Sequence, residues 1–378
     1  MRTPVALLLG ATAMAATLYA LRPQTPPAAA ISVSSALGAT ADAGFLRAEV
    51  PRPFTFPADH GPHPGYRNEW WYFTGHLHDA AGREYGYQLT LFRIALAPGA
   101  PPDDSAWRTH TFYMGHLALT DVAAGRHRAV ERFARAALGL AGAGSAPPQV
   151  WLERWEARLT DAARGTWRIS AQDDDIGLEL ELVPAKAPVL QGEAGLSRKS
   201  AAPGNASYYY SVTRLASRGE LRVDGRRVAV DGTSWLDREW STSALGPEQS
   251  GWDWFAVQLD DGRELMFYRL RRRDGGLDAH SAGTLVAADG TYTPLAAGAV
   301  ELTPEGRWSS PASGDAYPAR WRLRVPAAAL ELQLTPKVAD QEMRLSVRYW
   351  EGAARVEGRD ARGPVRGQAY VEMTRYAE

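Results

Sequence analysis

The chain has 378 residues, a formal net charge of −1 and no cysteine. The missing cysteine excludes disulfides, thiolate metal sites, iron–sulfur clusters, a cysteine nucleophile and a lipid-modified cysteine anchor. The near balance of 42 basic against 43 acidic side chains excludes the broad basic face of a general nucleic-acid binder. The length sets a prior of about two domains. Residues 4–21 are uncharged, lie between Arg2 and Arg22, and hold Leu7, Leu8 and Leu9 at their centre. They read as a secretory signal with an A-x-A-like cleavage site at 28–30, or as a single N-terminal anchor, and they are the one expected point of membrane contact. The expected organisation is a signal or anchor at 1–30, a Pro/Ala/Ser-rich linker at 31–50, and a body at work in the periplasm or secreted.

From Phe54 onward the pattern is short alternating segments, rich in aromatic and β-branched residues and divided by Gly, Asp and Pro. Examples are 69–78, 84–93, 167–171, 178–183, 207–215, 254–259, 264–271, 321–325, 330–335, 343–350 and 368–376. This predicts an all-β fold with little helix. Hairpin turns are expected at Val223-Asp224-Gly225-Arg226, Asp260-Asp261-Gly262-Arg263 and Asp289-Gly290. The single helix candidate is 129–140, with Val130, Phe133, Ala137 and Leu138 at helical spacing.

Three segments recur in one order. Trp70-Trp71-Tyr72-Phe73 matches Trp252-Asp253-Trp254-Phe255. Residues 167–169 and 178–184 match 321–323 and 330–336, and 208–215 matches 369–376. The shared order predicts two related β-domains, 51–217 and 218–378, each a closed barrel or a strongly curved antiparallel sheet without free edges.

Two stretches concentrate the chemistry. In the first, His60, His63, Glu69, Trp71, His76 and His78 surround the pair Trp70-Trp71. Strand alternation puts Glu69, Trp71 and Phe73 on one face, and Trp70, Tyr72, Thr74, His76 and His78 on the other. In the second, 231–241, Asp237 and Glu239 share a face beside Trp235, with Arg238 or Trp240 adjacent. His60-x-x-His63 and His76-x-His78, with Glu69 and His116, have spacings a metal would accept, but such loop histidines more often pin the loop to its barrel. No metal is therefore assigned. A nucleophile elbow is missing, and Ser234 and Ser241 have no sequence support as nucleophiles.

The runs PADHGPHPGYRNEWWYFTGHL, DGTSWLDREWSTS…GWDWFAVQLDDGREL and GQAYVEMTRY resemble the carotenoid 1,2-hydratase-like (hydroxyneurosporene synthase-like, AttH-type) family, including its branch of predicted secreted hydrolases. The resemblance spans about residues 54–376. It implies two tandem lipocalin-like antiparallel β-barrel domains with an apolar ligand pocket near their junction and no cofactor. It also implies, for an enzyme, a hydro-lyase that adds water across a carbon–carbon double bond. Such chemistry needs an acid to protonate the alkene, a base for the attacking water, and aromatic faces for the cation between. Asp237 and Glu239 are the candidate catalytic pair. Trp235, Trp240, Trp254, Tyr268, Trp71, Glu69, His63 and His76 are the candidate ligand contacts. The name-giving hydratases carry a His–Asn pair after the aspartate, where this chain has Arg238-Glu239, and arginine cannot shuttle a proton. A non-catalytic carrier of a small isoprenoid or lipid-like ligand, serving an envelope ABC transporter, and a secreted hydrolase stand beside the hydratase reading.

Overall fold

The computed structural model describes residues 43–99, 105–242, 245–374 and 376. The expected signal or anchor lies outside the described residues. Among those residues the chain is strands with three one-turn helices, at Ala58–His60, Ala297–Ala299 and Pro326–Ala328. In order the strands begin β1 (Asn68–His78), β2 (Glu84–Ala95), β3 (Thr111–Asp121), β4 (Arg126–Arg135), β5 (Ala141–Ser145), β6 (Pro148–Leu152) and β7 (Trp155–Asp161). There follow β8 (Thr166–Gln172), β9 (Ile176–Pro184), β10 (Val189–Leu190), β11 (Leu196–Arg198), β12 (Ala206–Val223) and β13 (Arg226–Ser241). A second series runs β14 (Gln249–Leu259), β15 (Glu264–Arg272), β16 (Ala282–Val286), β17 (Tyr292–Ala296), β18 (Glu301–Ser309) and β19 (Ala316–Val325). It ends with β20 (Leu330–Pro336), β21 (Glu342–Arg344), β22 (Arg348–Asp360) and β23 (Gly363–Thr374).

The first thirteen strands form one antiparallel sheet and the last ten another, and each curls into a nearly closed, lipocalin-like barrel. Their orders coincide. The path β4-β3-β2-β1-β13-β12-β9-β8-β7 has the same connectivity as β17-β16-β15-β14-β23-β22-β20-β19-β18, and the first sheet continues through β6 and β5. The duplication read from the sequence is therefore present for β1 with β14, β8 with β19 and β9 with β20. The third match is corrected. Residues 369–376 begin on β23, whose counterpart is β13, while β12, which carries 208–215, corresponds to β22.

Two further expectations change. The first sheet extends to Ser241, because β13 pairs with β1 from Asn68↔Ser241 to His78↔Asp231. The division between sheets thus falls in 242–248 rather than at 217/218. The cause is the hairpin at Asp224 and Gly225, whose φ values of 49° and 75° suit a tight turn that folds β13 back onto β12 within the same sheet. The helix expected at 129–140 is instead β4 and the turn after it. Residues 129–135 pair with β3 in register, Val130 opposite Leu117 and Phe133 opposite Met114, and sheet pairing overrides the local helical spacing.

Alternation sends each central strand into two environments. Trp71, Phe73, Trp167 and Trp240 pack inside the first barrel, and Phe255, Trp321 and Trp350 inside the second. A third cluster, with Tyr72, Tyr209, Trp235, Trp254, Tyr268 and Tyr370, fills the seam between the sheets. The sheets approach closely there: a Cβ placed on Gly86 of β2 would stand 2.7 Å from the Cβ of Ala353 on β22.

The loop ahead of β1 is tied to the central strands of the first barrel by a buried ion network. Glu69 accepts from Arg238 Nη2 at 2.7 Å and Arg93 Nε at 3.0 Å, and its Oε1 lies 2.7 Å from His63 Nδ1. Arg238 also donates to the carbonyls of Trp70 and Gly61, and its guanidinium lies 3.9 Å over the Trp71 ring. His63 stacks flat on Trp240 at 3.6 Å. The Pro/Gly-rich loop ahead of β1 is thereby pinned to the barrel. Burial alone would raise the Glu69 carboxyl, but Arg238, His63 and Arg93 together hold it well below the usual carboxylate range.

Two outcomes follow. Arg238→Met removes the largest share of the charge compensation around buried Glu69, leaving Arg93 and His63, and should cost about 3–5 kcal/mol, read from the urea midpoint at constant slope; a loss under about 1 kcal/mol would show that the network contributes little to the fold. Gly86→Val forces the sheets apart and should lower the midpoint by about 1–3 kcal/mol, while an unchanged midpoint would show that the seam is loose.

Candidate ligand chamber between the sheets

A cavity of about 140 Å³ opens in the seam, walled by β1, β2, β3 and β13 on one side and by β14, β15, β22 and β23 on the other. The two walls are built alike. On β1, Tyr72 sits between Asp237 of β13 and Thr90 of β2. On β14, the equivalent Trp254 sits between Glu372 of β23 and Tyr268 of β15. One strand further on, Asp237 is opposite Ser211 and Glu372 is opposite Glu351. Asp237 and Glu372 are thus counterparts in the two sheets, as are Trp70 and Trp252, and all four line the cavity.

Asp237 is buried and accepts from Ser211 Oγ at 2.5 Å, Trp235 Nε1 at 2.7 Å and the Tyr209 hydroxyl. Burial raises its carboxyl from 3.8 to about 7, more than these three neutral donors lower it. Glu372 is likewise raised by burial from 4.5 to about 7, against a hydrogen bond from Trp252 Nε1 at 2.8 Å. Glu351, fully buried and facing Glu372, is pushed well above the usual range by burial and by that neighbour, although Tyr72 donates to it from across the seam. Glu239 differs: Lys199 Nζ lies 3.0 Å from it, and Ser207 donates to it. Burial pulls Lys199 down, yet Glu239 and Tyr268 more than offset it and keep the ammonium charged. His116, held by burial at about 3 and therefore neutral, completes the floor with Nδ1 2.8 Å from the Tyr349 hydroxyl. The chamber so presents carboxylic acids, one carboxylate–ammonium pair and aromatic walls to a space lined mostly by carbon.

Of the residues expected in the site, Asp237, Glu239, Trp254 and Tyr268 line this chamber. Trp235 stands one layer behind, bonded to Asp237 and edge-on to Trp254 at 6.3 Å. Trp71, Trp240 and Glu69 point the other way, into the first barrel, because their strand positions have the opposite parity, and His63, in the loop ahead of β1, lies with them against Trp240 and Glu69. They are corrected to structural residues. Arg238 shares that parity, so its guanidinium faces Glu69 and leaves the chamber's acids alone. His76 lies on the seam face but in a separate small cavity with Trp235 and Tyr370. The histidines weighed as metal ligands have other neighbours: His60 Nδ1 is 2.6 Å from the Tyr210 hydroxyl and His78 pairs with Asp231 at 3.0 Å. Ser234 is buried against the hydroxyls of Tyr87 and Ser217, both at 2.6 Å, so no base serves it.

Sequence reasoning missed Glu351, Glu372, Lys199 and Tyr209. Glu372 had a signal, since aligning β23 with β13 rather than β12 superposes it on Asp237. Glu351 and Lys199 had none, because each is placed by a pairing between strands distant in sequence.

A family model described as AttH-like matches residues 47–376. Among solved structures the chain is similar to a Nitrosomonas europaea protein put forward as an AttH, with 34% identity and a TM-score of 0.78 over 88% of this chain and 100% of that one. It shares its fold with kievitone hydratase of Nectria haematococca, at 14% identity and a TM-score of 0.66 over 88% and 98% of the two chains. It also shares the fold with CghA bound to Sch210972, at 12% identity and a TM-score of 0.52 over 89% and 97%. No curated protein sequence matches. With a family model over nearly all of its β-structure and a relative one-third identical along its full length, the chain belongs to the AttH-like family.

Proposed function

We propose that the chamber binds an apolar isoprenoid- or lipid-like molecule and adds water across one of its carbon–carbon double bonds by acid–base catalysis. The observation that carries this reading is the pairing of Asp237, whose carboxyl burial lifts to about 7 in an apolar space, with Glu239, two residues along the same strand face and 3.0 Å from Lys199 Nζ. Asp237 donates its proton to one alkene carbon and forms the new C–H bond. The other carbon becomes a tertiary cation facing Trp70, Trp254 and Tyr268, whose rings stabilise it by roughly 0.5–2 kcal/mol each. Water attacks that carbon, Glu239 takes the surplus proton, and its return to Asp237 closes the cycle. The hydratase named among the structures of like fold supports the reaction class. The expected export segment at 1–30 would put this chemistry outside the cytoplasm.

A passive carrier would use the same chamber without turnover. The two readings part on an acyclic carotenoid in detergent with 18O-labelled water. The hydratase incorporates label into a product heavier by one water, and Asp237→Asn lowers turnover by about 10²–10⁴-fold with ligand binding intact. Undiminished turnover in that variant would remove Asp237 from the mechanism, and bound but unconverted ligand in the parent would favour the carrier.

Asp237 also leaves a mark on stability. A carboxyl whose folded pKa is raised stabilises the fold fully only below its unfolded value, here 3.8, and that contribution is lost as pH rises through about 7. Asp237→Asn removes the titration. Its stability relative to the parent should therefore improve between pH 4 and pH 8.5, by up to about 4 kcal/mol. A difference that stays flat with pH would mean the carboxyl titrates normally.

A further inference from the structure

The polar groups of the chamber are unequal in sign. Among the described residues four carboxyl groups line it, Asp237, Glu239, Glu351 and Glu372, against the one cation Lys199. Lys199 is engaged: it pairs with Glu239, lies 3.1 Å from Ser197 Oγ, and stands over the Tyr268 ring at 4.4 Å. The other three carboxyls meet only neutral donors. Asp237 accepts from a serine, an indole and a phenol, Glu372 from an indole, and Glu351 from a phenol. The Oε2 of Glu351 is buried without a partner at hydrogen-bond distance, although the Tyr349 hydroxyl lies beside the carboxyl. A cavity that gathers surplus carboxyls from both sheets and surrounds them with four aromatic residues of β1 and β14 holds more carboxyls than its one ammonium can pair.

We propose that this chamber selects apolar ligands by the sign of their headgroup, taking a long-chain amine or similar organic cation over the uncharged alcohol and rejecting the carboxylate. The proposal rests on the seam cavity being the ligand site, and stands or falls apart from the hydration step. A cation meets both aromatic faces and carboxyls that ionise at little cost at neutral pH, as burial has brought two of them to about 7. The carboxyl proton then passes to solvent and charge is conserved. An anion gives up its hydration in the same poorly solvated space, gains nothing from the aromatic faces or from ionising the carboxyls, and finds Lys199 already paired with Glu239. Anionic lipids and free fatty acids are therefore excluded as natural ligands, and apolar amines are the class to test.

The test is a tryptophan-fluorescence titration of the protein at pH 7 with decylammonium, 1-decanol and decanoate, below their aggregation concentrations. Decylammonium should bind about tenfold tighter than decanol, and decanoate at least about tenfold weaker. The Glu351→Gln/Glu372→Gln variant should bring amine and alcohol within about threefold of each other while alcohol binding persists. Asp237→Asn should shift the ratio in the same direction, should the double variant not fold. Leu270→Trp, which fills the chamber, should abolish all three. Decanoate binding as tightly as decanol, an amine no tighter than the alcohol, or an amine indifferent to Leu270→Trp would each overturn the proposal. Binding of none of the three would overturn the apolar-ligand reading together with it. The expected order without hydration of any alkene would leave the proposal standing and remove only the hydratase.

Discussion

A β-strand has two faces, and the central strands of this protein must bury both. That single constraint arranges everything else. One parity of β1 and β13 fills the first barrel with Trp71, Phe73 and Trp240, and the other parity faces the second sheet with Tyr72, Trp235 and Asp237. The same holds for β14 and β23 in the second sheet, where Phe255 and Trp254 part in the same way. Aromatic and aliphatic side chains pack inside both barrels, and the cavity of about 140 Å³ lies between them, on surfaces that a lone lipocalin-like sheet would show to water. That cavity is therefore a property of the duplication, since neither half encloses it alone.

Buried carboxyls show how finely parity decides chemistry. Glu69 and Asp237 lie on neighbouring strands, both deep in the protein. Glu69 meets two guanidiniums and an imidazole and stays ionised. Asp237 meets a serine, a tyrosine and a tryptophan, and keeps its proton near neutrality. Both make several hydrogen bonds, so their number does not separate them. Formal positive charge among the donors does, because neutral dipoles do not repay the loss of water around an anion.

The sequence carried the local rules and left the pairings dark. Alternation gave the strands and the correct two faces of 69–78, and the repeated Trp-x-x-Phe run marked β1 and β14 as counterparts. The family resemblance supplied the barrel type. What alternation lacks is the sign of a face, since a strand buried on both sides reads as apolar throughout. Glu69, Trp71 and Trp240 were consequently assigned to a ligand although they face the barrel interior, and His63 in the preceding loop joined them there. The 129–140 segment failed for a related reason: an edge strand with small residues mimics a helical stripe until its partner is known. Lys199 and Glu351 were invisible because their neighbours lie 40 and 279 residues away along the chain, at Glu239 and Tyr72.

The close approach at Gly86 and Ala353 has an evolutionary side. Each barrel carries its own packed interior, and the walls of the chamber hang on the outside of both. Drift in the interiors is thus largely separated from the walls of the cavity. A lineage with this architecture can reshape the cavity by altering a handful of seam residues while its two hydrophobic interiors remain recognisably the same. The cavity walls then diverge faster than the fold, so relatives that superpose well along their strands need not share the same chamber chemistry.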